Sequence, residues 1–102
     1  MADIGEVETP LGTLKSTLRA ARIVNGMGGF SEAFRALARF DLDAYITIVA
    51  AGLNKKPSEV EDAVYALGLP TLVEPLTKYV EYLSNGGKPL KAVVGDAAPG
   101  EA

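Results

Sequence analysis

The sequence contains no cysteine, no histidine and no tryptophan. Without cysteine there is no disulfide framework and no thiolate chemistry. Without cysteine or histidine, the usual zinc ligand sets are excluded, and so are Ser–His and Cys–His nucleophile pairs. A run of basic residues is missing too. The ten Lys and Arg are dispersed along a chain of net charge −3, so the basic face that nucleic-acid binding needs is not expected. No apolar run approaches the ~20 residues that span a bilayer. The opening MADIGEVETP has neither the basic region nor the apolar core of a signal peptide. These absences together predict a soluble, intracellular protein without metal or nucleophile chemistry.

What is present reads as one small helical domain. The 102 residues are 48% hydrophobic, with three Phe and four Tyr supplying bulk. Its centre is the stretch 41–53, DLDAYITIVAAGL. Leu42, Tyr45, Ile46, Val49, Ala50 and Leu53 recur at the spacing of a helix with one buried face. Asp41 is a natural N-cap, and Asp43 puts negative charge at the positive end of the helix dipole. Gly52 is expected to supply the left-handed residue that closes this helix. Ile46, Thr47, Ile48 and Val49 carry a competing strand preference; the Asp in front and the Gly behind decide for helix. Ile48 and Ala51 lie off the main stripe, as they would in a central helix.

Before this stretch, Thr9-Pro10-Leu11-Gly12 has the composition of a type I or II turn. Two short extended pieces, 4–8 and 13–16, would pair across it, so residues 1–16 form either a short β-ribbon or a frayed arm. Thr17 can cap a helix over 18–25, with Leu18, Ala21, Ile23 and Val24 apolar. Asn25-Gly26-Met27-Gly28-Gly29 ends it in a tight corner. A phosphate-cradling loop is the other reading of these glycines, but the GxxxxGK[ST] pattern and a preceding buried strand are missing. Ser31 would then cap a helix over 32–40 burying Ala33, Phe34, Leu37 and Ala38.

After the central helix, Ser58 and Glu61 have capping-box spacing at the head of a helix over 59–67, which Gly68 stops. Thr71 and Glu74 repeat that spacing and would set Pro75 at the fourth position of a last helix. Leu72, Val73, Leu76, Tyr79, Val80 and Leu83 form its core stripe, and Asn85-Gly86-Gly87 ends it. The helical domain thus covers 17–87. Residues 88–102 read as a disordered tail, in which LKAVV has the second reading of a partner-binding segment. The fold expected is mainly α: a compact bundle of about five short helices, with the N-terminal two-stranded ribbon as an optional addition.

The densest carboxylates, Asp41 with Asp43 and Glu59, Glu61 with Asp62, all sit at helix starts, where anions offset the dipole. DLDAYI departs from a calcium loop at the third ligand and at the glycine. Tyr65, Tyr79 and Tyr82 read as edging the core. No catalytic residue, cofactor or metal site is expected, and the chain is not read as an enzyme.

The ordered series GGFSEAFRALARFDLDAYITIVAAGLNKKPSEVEDAVYALGLPTLVEPLTKYVEYL resembles a family of small tail proteins of gene transfer agents and tailed phages, known as tail tube or tail-assembly proteins. The residues that carry the likeness are Gly28-Gly29, the Asp41 junction, Ala51-Gly52-Leu53, Val60, Val64 and Leu67-Gly68-Leu69, and it spans about residues 13–85. PLGTLKST is shorter than the strand pair of that family. The resemblance implies a role in phage-tail morphogenesis in the bacterial cytoplasm or on the virion. Within it, a tail-assembly chaperone that shields tube or tape-measure subunits stands against a tube-associated structural protein. From another class comes a small helical regulator binding DNA or a protein partner; the mixed exposed faces and acidic balance count against it. A chaperone needs an exposed apolar patch. The expected one joins Met27 and Phe30 at the glycine corner to Tyr79, Tyr82 and Leu83 of the last helix.

Overall fold

The computed structural model describes residues 5–88. In chain order it has strands β1 (Glu6–Thr9) and β2 (Gly12–Lys15), then helices α1 (Leu18–Asn25), α2 (Phe30–Ala38), α3 (Leu42–Leu53), α4 (Pro57–Leu67) and α5 (Leu69–Ser84). Among the described residues the protein is therefore mainly α, with five helices and one two-stranded antiparallel ribbon. Residues 1–4 and the segment 89–102, with its LKAVV stretch, lie outside the described residues.

The ribbon forms because it has something to pack on. Pro10 and Leu11 make the turn, and Val7 pairs with Leu14 across it. Thr9 braces the turn: its Oγ1 accepts from the Leu11 N–H at 3.1 Å and donates to the Gly12 carbonyl at 2.7 Å. Val7 and Leu14 are both buried, with β1 against α5 and β2 against α3. A two-stranded ribbon alone is marginal; this one is held by those two side chains and by its neighbours in the chain. The Ser16 N–H donates to the Gly5 carbonyl at 3.1 Å, and the Gly5 N–H donates to the carbonyl of Gly87 beyond α5.

Helix α3 is the centre, touching β2 and all four other helices. Ala44, Tyr45, Ile46, Ile48, Val49, Ala50, Ala51 and Gly52 are buried on it. Ile48 and Ala51, off the apolar stripe, are buried because α3 is surrounded, whereas Leu42, on the stripe, is 37% exposed. Asp41 caps α3 as expected, accepting from the Ala44 N–H at 3.3 Å. Its other end differs. Gly52 stays helical, and Asn54 is the left-handed residue (φ 60°, ψ 47°), with the Lys55 N–H donating to the Ala50 carbonyl at 2.9 Å. Asn tolerates that conformation at a helix end. Gly52 serves close approach instead: a Cβ there would lie 2.8 Å from Leu14 Cβ.

Three expected caps are not made. Gly28 and Gly29 both take positive φ and turn the chain straight into α2, which begins at Phe30 and leaves Ser31 exposed. Pro57 occupies the first turn of α4 after Lys56, ahead of Ser58. A missing N–H and a preset φ suit proline to that position. At the next corner Gly68 (φ 96°) ends α4 and starts α5, so Pro70 enters the first turn and the Thr71–Glu74 box is bypassed. Pro75 consequently lies inside α5, where it has no N–H to offer the carbonyl of Thr71, an exposed residue.

Candidate interaction surface

The expected patch on α5 is not exposed. Tyr79, Tyr82 and Leu83 are buried core residues. α5 packs against β1 and helices α1 to α4; its exposed residues include the polar Thr71, Glu74 and Lys78, with no large apolar side chain exposed. The Tyr79 hydroxyl donates to the Lys15 carbonyl at 2.6 Å, fastening the ribbon to α5, and burial pushes its pKa well above the usual tyrosine range. Tyr45 behaves alike: its hydroxyl donates to the Leu37 carbonyl at 2.6 Å, and burial raises its pKa. Met27 and Phe30 are half-buried and pack on the core edge. Tyr65, expected at the core edge, is 75% exposed on α4.

Among the described residues the large apolar side chains that are exposed are Leu18 on α1, Tyr65 on α4, and Phe40 with Leu42, which share the corner between α2 and α3. Phe40 is left-handed (φ 57°) and 49% exposed. A bulky side chain in that conformation costs about 1–2 kcal/mol, which surrounding contacts must offset. Here the Asp41 N–H donates to the Ala36 carbonyl at 3.0 Å, and the Phe40 ring stacks on Tyr45 with centroids 6.4 Å apart. Leu42 follows beyond Asp41. Beside this corner is a shallow hollow of ≈ 280 Å³ lined by Met27, Ala36, Ala44 and Thr47, and by the ion-paired Glu32, Arg39 and Asp41. These pairs, at 3.1 and 3.5 Å, are exposed and contribute little to stability.

A second feature lies where the ribbon, α1, α3 and the start of α4 meet. Two hollows of ≈ 340 and ≈ 500 Å³ share Arg19, Ala51 and Asn54 and so form one groove. Ile23, Ala50 and Leu53 supply apolar lining, and Lys15, Arg19, Lys55 and Lys56 supply positive charge. Glu59 is its single acid. Among the described residues none of the four cations makes an ion pair. Their positions, 15, 19, 55 and 56, are far apart along the chain, which is why they read as dispersed; Lys55-Lys56 is the one local signal.

Among the described residues no group of three or more His, Cys, Asp or Glu could hold a metal ion. No helix among them is long and apolar enough to cross a membrane. Comparison with known proteins returned no matching family model, no matching curated protein and no matching solved structure.

Proposed function

We propose that this chain is a tail-assembly chaperone of a phage or gene transfer agent, which covers an apolar segment of a tube or tape-measure subunit before polymerisation. Binding, not catalysis, is its role, and the bacterial cytoplasm is where it acts. The observation that carries this reading is the α2–α3 corner, where Phe40 is half-exposed in a conformation unfavourable for its side chain and is followed by Leu42. Strain retained at an exposed aromatic is a mark of recognition surfaces. Phe40 and Leu42 replace Tyr79, Tyr82 and Leu83 as the apolar contact, and Met27 lines the hollow beside them.

The residues that carry the phage-tail resemblance hold the corners and caps of this fold. Gly28-Gly29 turns α1 into α2, Asp41 caps α3, Gly52 admits Leu14, and Gly68 joins α4 to α5. The test is co-expression with tube and tape-measure proteins from the same genome, scoring co-purification and the soluble fraction of each. A chaperone retains one of them and keeps it soluble. If neither is retained nor kept soluble, while the chain binds duplex DNA at physiological salt, the regulator reading replaces this one.

A further inference from the structure

We propose that the groove between the ribbon, α1 and the start of α4 binds an acidic peptide segment of a partner protein. This stands on the groove alone and is independent of the tail-assembly reading. Four cations without ion-pair partners line it with one acid, Glu59, in a chain whose net charge is −3; Glu6 and Glu8, on β1, stand across the ribbon from Lys15 and Thr13 at its edge. Charge of one sign gathered in a cleft, against the balance of the whole molecule, marks an anionic partner.

The apolar lining and the shape select a peptide. Half-buried Ile23 and Leu53 accept small apolar side chains between the acids. Hollows of ≈ 340 and ≈ 500 Å³ admit one extended segment. Duplex DNA is too broad for them, and would bring its phosphates against Glu59. β2, whose Thr13 and Lys15 line the groove, is paired on one edge only. On its other edge the Lys15 carbonyl is taken by the Tyr79 hydroxyl, which leaves the backbone of Thr13 for an extended chain. Glu59 at the α4 end and Glu6 opposite Lys15 weaken the two ends for an acidic peptide, so the strongest contacts fall on Arg19, which the two hollows share, and Lys55.

The experiment is fluorescence anisotropy of a labelled peptide of alternating glutamate and alanine, titrated with the full chain. A single-stranded oligonucleotide of equal net charge is titrated in parallel. The peptide is expected to bind more tightly than the oligonucleotide. Reversing two cations in Arg19→Glu/Lys55→Glu should weaken it by about tenfold, each exposed charge contributing a few tenths of a decade or more. Arg35→Glu, outside the groove, should change it by less than about twofold. Far-UV CD verifies that each variant is folded. No binding of the peptide, tighter binding of the oligonucleotide, or equal loss in Arg35→Glu would overturn the proposal.

Discussion

Replacing Gly52 by alanine should destabilise the protein, although alanine is the better helix former. Inside a helix the exchange is worth about 0.5–1 kcal/mol in favour of alanine. Against this, the added methyl would lie 2.8 Å from both Cβ and Cδ2 of Leu14 and 3.2 Å from its Cγ. Leu14 is fully buried and cannot swing aside, so either the ribbon or α3 must move. Overpacking of that kind costs about 1–3 kcal/mol, which leaves a net loss of about 1 kcal/mol. Leu14→Ala alone should cost about 2–5 kcal/mol. In the double variant the Cγ and Cδ2 obstacles are gone and the ribbon can shift from the remaining Cβ. Its loss should therefore fall short of the two single losses together by about 0.5–2 kcal/mol, within the range seen for touching residues. Urea denaturation followed by far-UV CD measures all three variants. A Gly52→Ala protein more stable than the parent, or losses that simply add, would refute the seating of Leu14 on Gly52.

Other expectations follow from the same packing. Asn54→Gly should be neutral or slightly stabilising, whereas Asn54→Val should cost about 1–2 kcal/mol, because only the first is at ease in the left-handed region; urea midpoints decide. Ile48→Ala, in the core, should cost about 2–5 kcal/mol and Arg35→Ala, on the surface, less than about 0.5; equal losses would contradict the assignment of faces. Tyr79→Phe should cost about 1–3 kcal/mol by leaving the Lys15 carbonyl without its phenol donor, seen as a lower urea midpoint. The raised pKa values of Tyr79 and Tyr45 mean that above pH about 10 the unfolded chain loses phenolic protons that the folded one keeps. Stability from these groups is thus complete at neutral pH and is lost as pH rises past about 10. Tyr79→Phe should flatten that fall in denaturation measured from pH 8 upward.

Local chemistry was legible in the sequence; contacts between distant segments were not. Asp41 could be read as a cap because the amide it accepts from lies three residues away in the chain. The Pro10–Leu11 turn and the stripe of α5 are local in the same sense. Gly52 was misread as a helix stop, since its neighbour Leu14 is remote in sequence, and the true stop is Asn54, a residue with weaker left-handed preference than glycine. Ser58 and Thr71 match a capping pattern, but Pro57 and Pro70 hold the first turns, and both helices start two or three residues nearer the N-terminus. Tyr82 lay off the stripe of α5 and read as exposed because nothing local announces the ribbon and Gly5 beside it. Leu18, read as apolar face, is 71% exposed at the head of α1. The groove needed the meeting of ribbon, α1 and α4, and so left no trace beyond Lys55-Lys56. Phe40 could not be foreseen either: a left-handed phenylalanine follows from how α2 and α3 meet, not from its own preference.

The central claim is that the α2–α3 corner is where an apolar client segment binds. It is tested most directly by measuring the affinity of a co-purifying tube or tape-measure protein for the parent and for Phe40→Ser. The ring is half-exposed and serine keeps the same Cβ on the backbone, so the fold should survive, as CD can verify. A central aromatic anchor is worth about 2 kcal/mol or more on truncation, which weakens binding by roughly thirtyfold. Unchanged affinity in a folded Phe40→Ser protein would contradict the account.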